Sequence, residues 1–132
     1  MIESAEEFVR LRTSTVMEEY NRAAHDSAPD EVWYDVIERY PDMWFWVAHN
    51  KSISEAVIRR LFNTGDCKVL SFLAMKRKTP GDLLLQLCYT GDQWIRFTLA
   101  RHPKLPPAAI ELLANDRSAE VREAIQKRLK GK

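Results

Sequence analysis

Residues 64–89 read TGDCKVLSFLAMKRKTPGDLLLQLCY, and residues 90–115 read TGDQWIRFTLARHPKLPPAAIELLAN. Both open Thr-Gly-Asp, and the spacing between them sets a period of 26 residues. In this register Val69 matches Ile95, Leu73 matches Leu99, Ala74 matches Ala100, Pro80 matches Pro106, Leu84 matches Ile110 and Leu87 matches Leu113. Self-similarity at a fixed period of this size is the mark of a repeat architecture.

Each unit reads as two short helices. Asp66 and Asp92 stand where an N-cap carboxylate would accept the first orphan N–H groups. Val69 and Leu73, like Ile95 and Leu99, then lie four residues apart on one helical face. His102-Pro103 ends the first helix, because a proline disfavours helical geometry in the residue before it. Pro80 and Pro106-Pro107 open the second helix, whose first turn needs no N–H donor. Leu83, Leu84 and Leu87, and then Ile110, Leu113 and Ala114, supply its apolar stripe. Helices this short are unstable alone, so the units must stack to bury their stripes.

The register extends upstream through Met43, Val47, Ala48, Ser54, Ile58 and Leu61, and downstream through Val121 and Ile125, with Arg122 matching Arg96. Residues 30–40 (DEVWYDVIERY) resemble the second half of a unit with a one-residue slip. Before them, Ser4 and Glu7 form a capping-box pattern. Phe8, Leu11, Thr15, Val16, Met17 and Tyr20 continue with a helical period. The expectation is an all-α fold: a short right-handed helical-repeat solenoid with a period of 26 residues and an N-terminal capping helix. Residues 1–132 form one domain, with 1–29 as the capping region and 30–130 as the repeats.

The 132 residues suffice for a self-sufficient core, and a 30% charged, 45% hydrophobic composition is that of an ordinary globular chain. The longest apolar run, Met43 to Ala48, is far below the roughly 20 residues that span a bilayer. MIESAEEFVRLR has no apolar core of signal-peptide length. Together these point to a cytoplasmic protein. Cys67 and Cys88 are too few for a metal set and read as free thiols. Net charge is +1, but residues 1–66 carry 13 acids against 7 Lys/Arg while residues 67–132 carry 6 against 13. That asymmetry concerns partners more than fold.

Units of the form GDxxIRxxLARHPxLPPxxIxxLA resemble the leucine-rich repeat variant family, a relative of the HEAT-like helical solenoids. The matching residues are Asp92, Ile95, Arg96, Leu99, Ala100, His102-Pro103, Pro106, Ile110 and Leu113. The likeness covers about two-thirds of the chain and is absent from residues 1–29. It implies alternating short helices in a curved stack and no single activity. One member of that family carries an N-terminal cysteine cluster for an iron–sulfur centre. Nothing here matches that cluster, so no cofactor is carried over.

A basic turn recurs after the first helix of each unit: Asn50-Lys51, then Lys76-Arg77-Lys78, then Arg101-His102 with Lys104, then Lys127-Arg128 with Lys130. Stacked units would align these cations into a ridge able to meet phosphates or an acidic protein. The competing reading is a set of solvated turns whose cations complement helix C-termini. Trp44 holds the register position of Arg96 and Arg122, and is either an exposed contact residue or covered by the N-terminal helix. Trp33, Trp46 and Trp94 read as packing residues with an N–H partner in reach. His25, His49 and His102 lack ligand spacing for a metal. Asp42 reads as a cap like Asp66 and Asp92, and Cys67 sits at a helix start with no base in evidence. No residue set satisfies the geometry of a catalytic centre. The chain is therefore expected to bind a partner without catalysis. The partner is expected to be another protein, with nucleic acid along the basic ridge as the alternative and with no membrane or small-molecule substrate.

Overall fold

The computed structural model describes residues 1–131; Lys132, the end of the single-domain reading, lies outside the described residues. Among the described residues there are ten α-helices, one 3₁₀ turn and no strand. The described residues pack as two compact units, the first of residues 1–72 and the second from residue 73 onward.

The first unit holds α1 (Ala5–Arg12), α2 (Met17–His25), α3 (Asp30–Arg39), a 3₁₀ turn (Pro41–Met43), α4 (Trp44–His49), α5 (Glu55–Phe62) and most of α6 (Cys67–Leu73). The capping pattern works at α1. Ser4 Oγ accepts the Glu7 N–H at 3.0 Å, and the Glu7 carboxylate accepts the Glu3 N–H at 2.7 Å. Ala5, Phe8 and Leu11 are buried, and Phe8 meets the fully buried Trp33 of α3 edge to face at 5.1 Å.

The single N-terminal capping helix is corrected to a helical hairpin. The chain breaks at residues 13–16, where side chains compete for the backbone. Thr13 Oγ1 donates to the Val9 carbonyl at 2.7 Å, and Ser14 Oγ accepts the Val16 N–H at 3.0 Å while donating to Glu19 at 2.9 Å. Val16, Met17 and Tyr20 consequently face solvent instead of extending the stripe.

Asn50 then locks the end of α4 to the end of α2. It is fully buried, its amide donates to the carbonyls of Ala23 (2.9 Å) and Asp26 (3.0 Å), and its oxygen accepts the Ser52 N–H (2.8 Å). Ser54 caps α5, accepting the Val57 N–H at 3.3 Å. Gly65, at φ +70°, turns the chain out of α5 in a conformation that favours glycine. Asp66 caps α6 through the Val69 N–H at 3.1 Å. Asp42 makes no such bond, because it lies inside the 3₁₀ turn and not before a helix.

The second unit holds α7 (Gly81–Thr90), α8 (Gln93–Ala100), α9 (Pro107–Ala114) and α10 (Ala119–Lys130). Pro80 and Pro106 stand at the N-caps of α7 and α9, and Asp92 caps α8 through the Ile95 N–H at 2.8 Å. The core is built from Leu84, Leu87, Ile95, Leu99, Leu113, Val121 and Ile125. In α9 the buried stripe is Ala109 and Leu113, with Ile110 only half-buried. Gly91 is needed for space: a Cβ there would come within 2.6 Å of Ile95 Cγ2 and 2.7 Å of the Leu87 carbonyl.

Polar side chains tie the turns of this unit together. His102 is buried, its Nδ1 accepts the Lys104 N–H at 3.0 Å, and its Nε2 lies 2.9 Å from the Lys76 carbonyl. Because Lys104 supplies the proton on one side, Nε2 must carry the other and donate to Lys76. Arg128 Nη1 in turn donates to the His102 carbonyl at 2.5 Å. Thr79 Oγ1 donates to the Leu73 carbonyl at 2.7 Å from a buried position.

Candidate functional site

Helices α8 and α10 of the second unit lie side by side. Gln93 Nε2 donates to Glu120 at 3.3 Å near their starts, and Arg128 reaches the Ala100 and His102 carbonyls near their ends. Between them runs an open trough of about 620 Å³ lined by Phe97, Ala100, Arg101, Glu120, Glu123, Ala124, Lys127 and Arg128. Beside it Trp94 stacks on Phe97 (centroids 6.0 Å apart, planes 24° apart), and the Arg101 guanidinium lies 5.9 Å from the Phe97 centroid. Trp94 and Phe97 share one face of α8, and Arg101, the residue that closes the helix, follows them at a spacing of four. Trp94 remains 70% exposed.

The trough has an acidic and a basic end. Glu120 is held below the ordinary glutamate range, chiefly by its own backbone N–H and then by the Ser118 hydroxyl at 2.9 Å. At the other end stand Arg101 and Lys127, both exposed, and Arg128, half-buried.

Of the ridge residues read from the sequence, the second unit brings Lys76, Arg77, Lys78, Arg101, His102, Lys104, Lys127 and Arg128 to adjoining turns, through the bonds from His102 to Lys76 and from Arg128 to His102. They are not alike in use. Arg77, Lys78, Arg101, Lys104 and Lys127 are exposed. The His102 ring and the Arg128 guanidinium point inward to backbone groups, so they shape the turns and do not present charge. Lys51 belongs to the first unit, where its N–H donates to the Ala24 carbonyl at 2.9 Å.

Trp44 is half-buried, and its indole N–H donates to the Ile37 carbonyl of α3 at 2.6 Å. Its polar atom is therefore engaged by α3, not by the N-terminal hairpin. Near it Phe45 stands edge to face with Trp46 (5.0 Å) and Phe72 (5.4 Å). Two expectations for the other tryptophans fail. Trp94 does not pack inward, and the buried Trp33 Nε1 finds no hydrogen-bond acceptor among the described residues. The register held the signal for Trp94, since it occupies the position of the exposed Lys68 and Glu120.

Arg96 is the other residue whose place the sequence hid. It is 5% exposed, pairs with Asp116 through Nε at 2.8 Å, and donates to the Gly91 carbonyl at 2.8 Å. Arg122 adds a bond of 2.5 Å to the Asp116 carbonyl. Burial raises the Asp116 pKa, but the Ser118 N–H and the Arg96 guanidinium outweigh it and leave the group below the usual aspartate range. Burial pushes the nearby Cys88 thiol up to about 11, so it stays protonated. Cys67 is exposed at the start of the seven-residue α6. Among the described residues no group of three or more His, Cys, Asp or Glu is placed to hold a metal ion, and no helix is long and apolar enough to cross a membrane.

Comparison with known protein families, curated proteins and solved structures finds no match.

Proposed function

We propose that this chain is a non-catalytic protein-interaction module of the helical-repeat kind, an adaptor or inhibitor-like binding protein of the cytoplasm. The observation that carries this reading is the exposed Trp94 stacked on Phe97 along the trough of α8 and α10. A large aromatic side chain left in water is a standing cost that contact with a partner removes. Tryptophan and arginine bordering an open trough are residue types enriched in interface hot spots. The trough is open and its polar groups are spread along two helices, which suits a segment of polypeptide better than a small substrate.

The underlying scaffold is read as a leucine-rich-repeat-variant-like solenoid with a period of 26 residues. Three features support it. Asp66 and Asp92, one period apart, cap their helices through the same N–H position. His102 reaches the carbonyl of Lys76, one period back, and Arg128 reaches that of His102, one period further on. Asn50, two periods before His102, reaches back to the carbonyls of Ala23 and Asp26, which flank the position one period behind it.

A tagged pull-down from lysate of the source cells, with and without nuclease, separates the candidate partners. The protein reading predicts one stoichiometric protein that survives nuclease. Enrichment that vanishes with nuclease would move the function to nucleic acid, bound by Arg77, Lys78, Arg101, Lys104 and Lys127. In that case binding would fall steeply with salt.

A further inference from the structure

The first unit is acidic: residues 1–72 carry 13 acids against 8 Lys/Arg. It also seats its own cations on aromatic rings. The Arg12 guanidinium carbon lies 3.3 Å from the Trp46 ring centroid, and that of Arg60 lies 4.4 Å from the Tyr34 centroid. The negative face of an aromatic ring attracts a guanidinium, which accounts for both contacts. Trp44 and Phe45 differ from these rings, because neither holds a cation among the described residues.

Trp44, Phe45 and Trp46 line an open hollow of about 470 Å³, and Asp42, Asp66 and Lys68 supply its charge. Trp44 is fixed there by the bond of its indole N–H to the Ile37 carbonyl, and Phe45 by its edge-to-face contact with Trp46. The carboxylates are not used up by the fold. Asp42 is exposed and makes no hydrogen bond or ion pair among the described residues. Asp66 accepts the Val69 N–H through Oδ1 at 3.1 Å, which leaves its Oδ2 without a partner among the described residues. Lys68 is exposed and pairs with neither acid.

Rings and unpaired carboxylates around one space suit a cation. An arginine side chain uses both, since its planar guanidinium stacks on rings and directs N–H donors from its edge to carboxylates. A lysine ammonium is a compact, strongly hydrated point charge that does not stack, and a quaternary ammonium has no N–H to donate. The hollow is larger than one guanidinium, so it has room for neighbouring residues of the same ligand chain. The acidic surface of the unit draws in a segment that carries further positive charge.

We propose that this hollow is an arginine-recognition site for a basic segment of a partner polypeptide, with the guanidinium against Trp44 and Phe45 and its N–H groups on Asp42 and Asp66. The site belongs to the first unit and is independent of the trough on α8 and α10, so either can fail alone.

The test follows the indole N–H signals of the four tryptophans of the full chain by nuclear magnetic resonance. The chain is titrated with the blocked pentapeptide Lys-Ala-Arg-Ala-Lys, with its Lys-Ala-Lys-Ala-Lys and Lys-Ala-Gln-Ala-Lys analogues, and with tetramethylammonium chloride. The expected result is saturable movement of the Trp44 signal with the Arg peptide, at a midpoint at least about threefold below that of the Lys peptide and lower still against the Gln peptide. Tetramethylammonium should bind more weakly than the Arg peptide. Asp42→Asn should raise the midpoint at least about twofold, and Lys68→Ala should lower it by removing a competing cation. Both positions are exposed and unpaired, so neither change disturbs the fold. No movement of Trp44, or movement confined to Trp94, would overturn the site. Equal midpoints for the Arg and Lys peptides would overturn arginine as the group recognised, and a tetramethylammonium midpoint at or below that of the Arg peptide would overturn the polypeptide as ligand. An unchanged midpoint in Asp42→Asn would contradict the carboxylate contact.

Discussion

In the first unit Arg10, Arg22, Arg39 and Arg59 meet their carboxylates at the surface, with 39% to 55% of each arginine side chain exposed, whereas in the second unit Arg96 meets Asp116 with both side chains 7% exposed. The surface pairs are screened by water and salt, and such pairs contribute about 0–1 kcal/mol. The buried pair is different in kind. It joins the turn before α8, through the Gly91 carbonyl, to the turn before α10, and Arg122 bonds the carbonyl of the same Asp116. Three arginines of the second unit, Arg96, Arg122 and Arg128, are thus turned inward to define its turns. Its exposed cations among the described residues are Arg77, Lys78, Arg101, Lys104, Arg117, Lys127 and Lys130. A count of basic residues overstates the cationic surface, and the inward-facing arginines determine its shape.

The sharpest way to break this contrast is to remove one arginine of each kind. Arg96→Ala leaves the Asp116 carboxylate buried without its partner and should destabilise the second unit by about 3–5 kcal/mol. Arg59→Ala should change stability by less than about 1 kcal/mol. Amide exchange at Ile95–Leu99 and at Val57–Leu61 reads the two effects separately, and equal losses would remove the distinction. Acid sharpens it further. Because Asp116 titrates below its ordinary value of 3.8 in the folded chain, the stability it contributes is present above that value and is lost as pH falls through the folded pKa. Asp116→Asn should flatten the acid limb of an unfolding titration below pH 3.8.

His102→Ala should cost about 1–3 kcal/mol, since it strips a donor from the Lys76 carbonyl and an acceptor from the Lys104 N–H. His102→Asn should recover part of that loss, because Asn50 makes the corresponding bonds in the first unit. Thermal denaturation of the two variants checks this order. The smallest effects are at the caps. Asp92→Ala should cost about 1 kcal/mol and Asp42→Ala close to nothing, since only Asp92 accepts a helical N–H. Calorimetry of that pair decides whether position in the register or actual geometry sets the contribution.

Much of the helical order was legible in the residues. Capping at Ser4, Asp66 and Asp92, the prolines before α7 and α9, and the buried faces of Ile95-Leu99 and Val121-Ile125 all follow from short-range chemistry. What escaped depends on distant partners. Arg96 looks like a surface residue until Asp116, 20 positions away, folds against it. Ser14 breaks the N-terminal helix because Glu19 and the Val16 N–H are within its reach, which a stripe count ignores. The trough was not legible, since no local rule brings residues of α8 and α10, such as Phe97 and Ala124, to line one space. The exposure of Trp94 was missed, although the exposed Lys68 and Glu120 share its register.

The central claim is that the Trp94–Phe97 face of the second unit engages a protein. The most direct measurement is a nuclease-treated pull-down run in parallel with the natural chain, with Trp94→Ala and with Arg59→Ala, quantified by mass spectrometry. The expected result is a stoichiometric protein that is retained by Arg59→Ala and depleted at least about tenfold by Trp94→Ala, the loss typical of an interface anchor. Equal recovery of that protein by Trp94→Ala and the natural chain would contradict it.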